Sequence, residues 1–209
     1  MKKAAIRAKS RSYHHGDLRT AVLAAAEKIL EREGIDALTL RAVARAVGVS
    51  HTAPKNHFGD LEGLLSELAA VGYFRFGESL AGAMSAAGSD PRGRMRAMGR
   101  AYVYFARAHP GLFQLMFRSE RLDMSRPALR EAVESARQAL RSAAMSIAPV
   151  KPFTALQIAA RATASWSLVH GFAMLLLDGR LRNTLSLLPG EANAELLLDA
   201  VLEATRIDG

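Results

Sequence analysis

The chain has 209 residues, half of them hydrophobic, with a net charge of +8 and no cysteine. That length suits one large domain or two small ones sharing an interface, and the missing cysteine excludes disulfides, thiolate metal sites and cysteine nucleophiles together. The charge is uneven: residues 1–60 hold 11 Lys/Arg against 6 Asp/Glu, a net of +5, while the other 149 hold 17 against 14, a net of +3. Residues 1–12 contain five bases and no acid. A basic arm ahead of a folded module predicts an anionic polymer as partner, and a solvated tail is the plainer account.

In chain order the apolar pattern is helical throughout. Leu18, Val22, Ala25, Ala26, Ile29 and Leu30 make one stripe, and Gly34 stands where a helix would end. Thr39 is placed to cap a second, shorter helix carrying Leu40, Val43, Ala44 and Val47, closed by Gly48. Ser50 is expected to cap a third segment ending near Phe58, and Asp60 to start a fourth helix running to about Ala87. Gly88, Ser89, Asp90 and Pro91 break the chain before a fifth helix that reaches about His109. Pro110 opens a short aromatic segment, Phe113 to Phe117; a further helix runs from near Pro127 to before Pro149. Pro152 precedes a long segment from Phe153 to Leu177, residues 178–190 read as a linker, and a last helix spans about Glu191 to Arg206. No alternating strand pattern appears, so the fold class is all-α.

The basic start lacks the apolar stretch of a secretory signal. The uncharged run Ala162–Leu177 is shorter than the roughly 18 residues of a membrane span. The expectation is a cytoplasmic protein with no membrane partner.

Three short helices in succession, with the tight turn Ala46-Val47-Gly48-Val49-Ser50 between the second and third, predict a tri-helical DNA-binding unit. Gly48 can take the positive φ that a sharp reversal needs. The third segment, His51-Thr52-Ala53-Pro54-Lys55-Asn56-His57, is polar on its outer face and suits a major groove. A solvated short helix in an unrelated bundle has the same spacing. Pro54 would crowd the Ser50 carbonyl in a regular helix, so the first turn is expected to be short or of 3₁₀ type.

The run Leu38-Thr39-Leu40-Arg41-Ala42-Val43-Ala44, then Gly48-Val49-Ser50, His57-Phe58 and Leu61 to Leu65, resembles the signature of TetR-like transcriptional regulators over residues 13–65. The resemblance implies that Thr39 and Lys55 touch phosphates and that residues around His51, Thr52 and Asn56 face bases. Arg41, Ser50 and His57 complete the expected DNA-binding set. It further implies a homodimer on double-stranded DNA. One departure is Lys55, where the family usually has tyrosine; lysine still binds phosphate, as a mobile point charge. In the C-terminal part, Tyr102-Val103-Tyr104-Phe105-Ala106, His109-Pro110, Leu112-Phe113 to Met116-Phe117, and Trp166 with His170-Gly171 resemble the subgroup named for its Trp-His-Gly motif. That likeness implies a sensor domain.

The expected organisation is therefore a basic arm at 1–12, a helix-turn-helix domain at 13–60 and a helical-bundle ligand-sensing and dimerisation domain at 61–209. The function expected is a repressor released from its operator by a small, largely apolar ligand. Trp166, His170 and Met174 share one helical face at i, i+4, i+8. With Tyr102, Phe105, Phe113, Met116 and Phe117 they are either a ligand pocket with an aromatic wall or an ordinary core with an internally bonded histidine. His14 with His15, and His51 with His57, lack the spacing of a metal pair, and no phosphate loop or nucleophile elbow is present, so no cofactor, metal or catalytic residue is expected. Two other classes fit less well. A helical enzyme would turn over a small molecule without reading DNA sequence, and a non-specific basic nucleoid or membrane-surface protein would carry its charge more evenly.

Overall fold

The computed structural model describes residues 15–145, 153–189 and 193–204. The basic arm, His14, Pro149, Pro152 and the two ends proposed for the last helix, Glu191 and Arg206, lie outside the described residues. Among the described residues the chain is all-helical, with no strand.

Helices α1 (His15–Glu33), α2 (Leu40–Val47) and α3 (Ala53–Phe58) form the N-terminal head. Gly34 ends α1 in a backbone region that only glycine enters easily (φ 83°, ψ 175°), its N–H donating to the Leu30 carbonyl at 3.1 Å. A 3₁₀ turn, Ile35–Ala37, then leads into α2. The head closes over Val22, Ala26, Leu30, Leu38, Val43 and Phe58, all buried. A fully buried aliphatic or aromatic side chain contributes about 1.5–3 kcal/mol, which is how so few residues hold three short helices together.

The long helix α4 (Leu61–Ala86) runs out of the head. Asp60 caps it, accepting the Gly63 N–H at 2.8 Å. Its buried residues include Leu64, Leu65, Leu68, Phe76 and Leu80, so the core of the head continues along α4 into the C-terminal body. There α4 packs on α5 (Pro91–Ala108), α6 (Pro110–Met116) and α7 (Pro127–Met145). Asp90 caps α5 through the Gly93 N–H at 2.8 Å, with Pro91 in the first turn. A second 3₁₀ turn, Ser119–Arg121, separates α6 from α7.

Helix α8 (Ala155–Leu177) lies against α5 and α7. It opens with a capping box in which Thr154 and Gln157 satisfy each other's backbone N–H. The stretch expected to be a plain linker contains a one-turn helix, α9 (Arg182–Ser186). Five residues hold too few apolar positions to show a period, which is why its sequence reads as linker. The last helix, α10, is Ala194–Ala204 and packs on α5. Asn193 sets its start, accepting the Glu195 and Leu196 N–H groups at 2.9 and 3.0 Å. Among the described residues no helix is long and apolar enough to cross a membrane.

Candidate nucleic-acid interface and sensor cluster

The turn between α2 and α3 is built as the residue order requires. Thr39 caps α2, its hydroxyl oxygen accepting the Ala42 N–H at 3.0 Å. Gly48 adopts the left-handed conformation (φ 76°, ψ 33°). Its N–H donates to the Arg45 carbonyl at 3.2 Å and that of Val49 to the Ala44 carbonyl at 3.0 Å, the Schellman arrangement that reverses a helix end. Val49 is half-buried.

The cap of α3 differs from expectation. Ser50 does not cap it; the helix starts at Ala53, with Thr52 at the cap position and no side-chain cap bond. The Ser50 hydroxyl pairs with that of Thr52 at 3.1 Å, while its carbonyl accepts the Ala53 N–H at 3.0 Å in an i−3 bond of 3₁₀ type. The cause is Pro54. It has no N–H and is tolerated only in the first turn, so the helix starts later than the serine suggests. Pro54 and Phe58 turn inward and are buried, while Ser50, His51, Thr52, Lys55 and Asn56 are exposed and His57 is half-buried beside the Phe58 ring. Thr39, at the cap of α2, and Arg41, in its first turn, are exposed. Residues 38–59 carry Arg41, Arg45 and Lys55 and no carboxylate, so this face is electropositive and rich in donors.

The second group of named residues meets in the C-terminal body. Tyr102 and Phe105 come from α5, Phe113 and Met116 from α6 with Phe117 just after it, and Trp166, His170 and Met174 from α8. The indole N–H of Trp166 donates to the Tyr102 hydroxyl at 3.2 Å, and that hydroxyl lies 2.9 Å from Nδ1 of His170. Indole can only donate, so the Tyr102 oxygen accepts from Trp166, and the imidazole tautomer sets whether the hydroxyl donates to Nδ1 or accepts from it. Burial lowers the His170 pKa and favours the neutral ring. Burial also raises the Tyr102 pKa, with the bond from Trp166 acting the other way. The His170 ring centroid is 4.6 Å from that of Phe117, 5.7 Å from Phe113 and 5.8 Å from Trp166. Phe105 turns to His109 at 5.0 Å, Met116 is buried, and Met174 is half-buried at the edge of the core.

Two residues of this cluster escape the sequence reading. Phe76 of α4 packs edge-on to Tyr102 at 5.0 Å, and Tyr73 donates to the Met116 carbonyl at 2.6 Å. Their three-residue spacing on α4 is the signal they leave. A separate open groove of about 690 Å³ lies on the other side of α5, between α4 and α10, lined in part by Ala83, Ala97, Arg100, Tyr104, Arg107 and Leu198.

Comparison with known proteins places both regions. Residues 22–68 match the family described as bacterial regulatory proteins, tetR family. Residues 95–201 match the family described as tetracyclin repressor-like, C-terminal domain. A protein of unknown function from Rhodococcus sp. RHA1 is 32% identical, with a TM-score of 0.76 over 93% of this chain and 96% of that one. The TetR family transcriptional regulator PfmR from Thermus thermophilus is 20% identical, with a TM-score of 0.54 over 87% and 94%. A bacterial regulatory protein in the tetR family from Rhodococcus RHA1 is 18% identical, with a TM-score of 0.60 over 89% and 93%. The last two likenesses are of fold. Among curated proteins none matches this chain.

Proposed function

This chain belongs to the TetR family of bacterial regulatory proteins, and from that premise we propose a cytoplasmic repressor that sits on its operator as a homodimer and leaves it on binding a small, largely apolar molecule. The family makes it a DNA-binding regulator. The observation that carries the reading is the sorting of α3, with Pro54 and Phe58 buried and His51, Thr52, Lys55 and Asn56 outward. In this reading Thr39, Arg41, Lys55 and the Ser50 hydroxyl hold phosphates, while His51, Thr52, Asn56 and His57 lie at base edges. We assign the C-terminal domain, from residue 61, to the Trp-His-Gly subgroup on the strength of Trp166, His170 and Gly171.

Dimerisation is supported by what the single chain leaves uncovered. Leu156 is 78% exposed and Leu196 57%. The small side chains Ala159, Ala160, Thr163, Ala164 and Ser167 of α8 are exposed as well. Two α8–α10 pairs packed as a four-helix interface would cover these faces. The sensor is proposed at the hydrogen-bonded Tyr102–Trp166–His170 group, where α5, α6 and α8 converge and where Nε2 of His170 offers a polar contact to a ligand. Helix α4 joins this cluster, through Tyr73 and Phe76, to the head. Its tilt would change the spacing of two reading heads that must stay roughly 34–36 Å apart. The ligand must bind the DNA-incompetent form more tightly, with a coupling of about 1–3 kcal/mol.

The test is selection of duplexes from random DNA by the full chain, followed by footprinting of the winner. Enrichment of one two-fold-related sequence supports the regulator; equal affinity for all duplexes overturns it.

A further inference from the structure

The C-terminal end of α3 is not held by the head alone. The Phe58 carbonyl is the last of the helix, and the chain turns away at Gly59 with φ 83°. Its oxygen accepts Nη2 of Arg126 at 3.0 Å. Arg126 belongs to the loop before α7, some 68 positions along the chain, in the C-terminal body. The guanidinium lies between two carboxylates, with Nη1 3.8 Å from Glu67 and Nε 3.5 Å from Asp123. Glu67 in turn pairs with Arg19 of α1 at 2.5 Å.

The loop that carries Arg126 is itself anchored. The Asp123 N–H donates to the Ser66 hydroxyl at 2.8 Å, and that hydroxyl donates to the Glu62 carbonyl at 2.7 Å. Ser66 is the buried polar side chain of α4, fully enclosed. The passage Arg126 takes to Phe58 runs over Gly63, where a Cβ would overlap both the Phe58 oxygen and Nη2 of Arg126. A glycine kept clear, a buried hydroxyl bonded to the loop backbone and a cation on a helix C-terminal carbonyl converge on one geometry.

We propose that Arg126 is the positioning residue for DNA reading: it clamps the C-terminal end of the recognition helix to the C-terminal body, so the angle of α3 is set jointly by the head and by the loop before α7. The proposal rests on α3 being the DNA-reading helix. Arg126 need not touch DNA. Its role is to hold His51, Thr52 and Asn56 in one orientation, which matters for base contacts within a few tenths of an ångström and matters little for phosphate attraction.

The experiment uses full-length wild type, Arg126→Gln and Arg126→Lys. Each is measured against the duplex selected by wild type and against a scrambled duplex, across a salt series, with thermal unfolding and amide exchange alongside. Arg126→Gln should weaken the selected duplex about tenfold and the scrambled one less than about twofold, as loss of one charge-assisted bond without loss of a phosphate contact requires. The salt slope should stay unchanged. Arg126→Lys, keeping the charge but not the planar fork, should fall between. The amides of Asn56 and Gly59, bonded within α3 at 3.1 and 2.8 Å, should exchange faster while those of α8 do not. A selected-to-scrambled ratio that stays at the wild-type value in Arg126→Gln overturns the proposal. So does an equal loss on both duplexes that tracks a fall in thermal stability, which would make Arg126 a general staple. Wild type that selects no sequence overturns the regulator reading, and this proposal with it; a wild type that selects while Arg126→Gln still discriminates fully overturns this proposal alone.

Discussion

The carboxylate of Glu31, on α1, accepts two backbone N–H groups from the start of α6: Gly111 at 2.9 Å on one oxygen and Leu112 at 2.9 Å on the other. A side chain of the DNA-reading head thus caps a helix of the C-terminal body. The approach is close enough that a Cβ on Gly111 would lie 2.8 Å from the Leu30 carbonyl oxygen. Because Phe113 and Met116 of α6 pack in the aromatic cluster around Tyr102 and His170, this cap is a direct joint between that cluster and the head.

Glu31→Ala should therefore lose about 1–2 kcal/mol of stability, the range for removing a helix cap with charge-assisted bonds. Gly111→Ala should cost a similar amount, about 1–3 kcal/mol, because the obstacle is backbone and cannot swing away. Urea denaturation of both variants checks this; wild-type midpoints would show that the joint contributes nothing to stability.

Tyr102→Phe removes the hydroxyl that links Trp166 to His170 and leaves the indole N–H and Nδ1 without their mutual partner. The expected loss is about 1–3 kcal/mol, the cost of unmatched polar groups in a half-buried site. The ring itself stays, so the edge-on packing with Phe76 and Phe113 should persist. Chemical denaturation together with the chemical shifts of the His170 ring reads both effects.

Two pH dependences follow from burial. Burial raises the Tyr73 pKa to about 12, opposed by Arg137. The folded state therefore holds this proton more tightly than the unfolded chain, whose tyrosine titrates near 10. The stabilisation is full below pH about 10 and is lost as pH rises toward about 12; Tyr102, raised by burial as well, contributes with the same sign, so Tyr73→Phe should shrink that alkaline limb and leave the part due to Tyr102. His170 has the opposite sign. Its pKa is lowered by burial, so the unfolded chain binds the proton first, and stability falls as pH drops below about 6.5. His170→Gln should flatten the acid limb, and unfolding midpoints measured from about pH 5 to 12 test both signs.

The proposed sensor and interface give paired expectations. Light scattering at micromolar concentration should give twice the 22.5 kDa of the single chain. Ala160→Arg, placing a charge on the exposed face of α8, should shift the mass toward 22.5 kDa without unfolding the chain. For a ligand found by thermal-shift screening, Trp166→Ala and His170→Ala should keep operator affinity within about twofold while blunting release, since a site bearing only on the ligand-bound form shifts only that equilibrium. Variants that lose stability yet respond fully would mark the cluster as core alone.

At the DNA surface, Lys55→Ala should weaken all duplexes alike and reduce the salt slope by roughly 0.9, one phosphate fewer being neutralised. Changes at Thr52 or Asn56 should instead alter the preferred sequence, which repeating the selection with each variant would reveal.

The helical class, the cap at Thr39, the reversal at Gly48 and the start of α4 at Asp60 were determined by the sequence alone. Each is local: a short polar side chain or a glycine next to an apolar period meets its partner within four residues, so spacing suffices. The meeting of Tyr102, Phe113, Trp166 and His170 was legible only as residue types on separate helices. The hydrogen bonds from Tyr102 to Trp166 and His170 depend on how α5 and α8 pack. The start of α3 was legible in part: Pro54 announced the 3₁₀-type entry that Ala53 makes to Ser50, but the cap expected at Ser50 fell to Thr52, because Pro54 is tolerated only in the first turn. Glu31 on α6 and Arg126 on Phe58 carry no sequence signal at all. They join residues 80 and 68 positions apart, and a charged side chain on a distant backbone group has no period or composition to betray it. Only tertiary packing, by bringing two helix ends with unpaired backbone groups within reach of a carboxylate and a guanidinium, decided those joints.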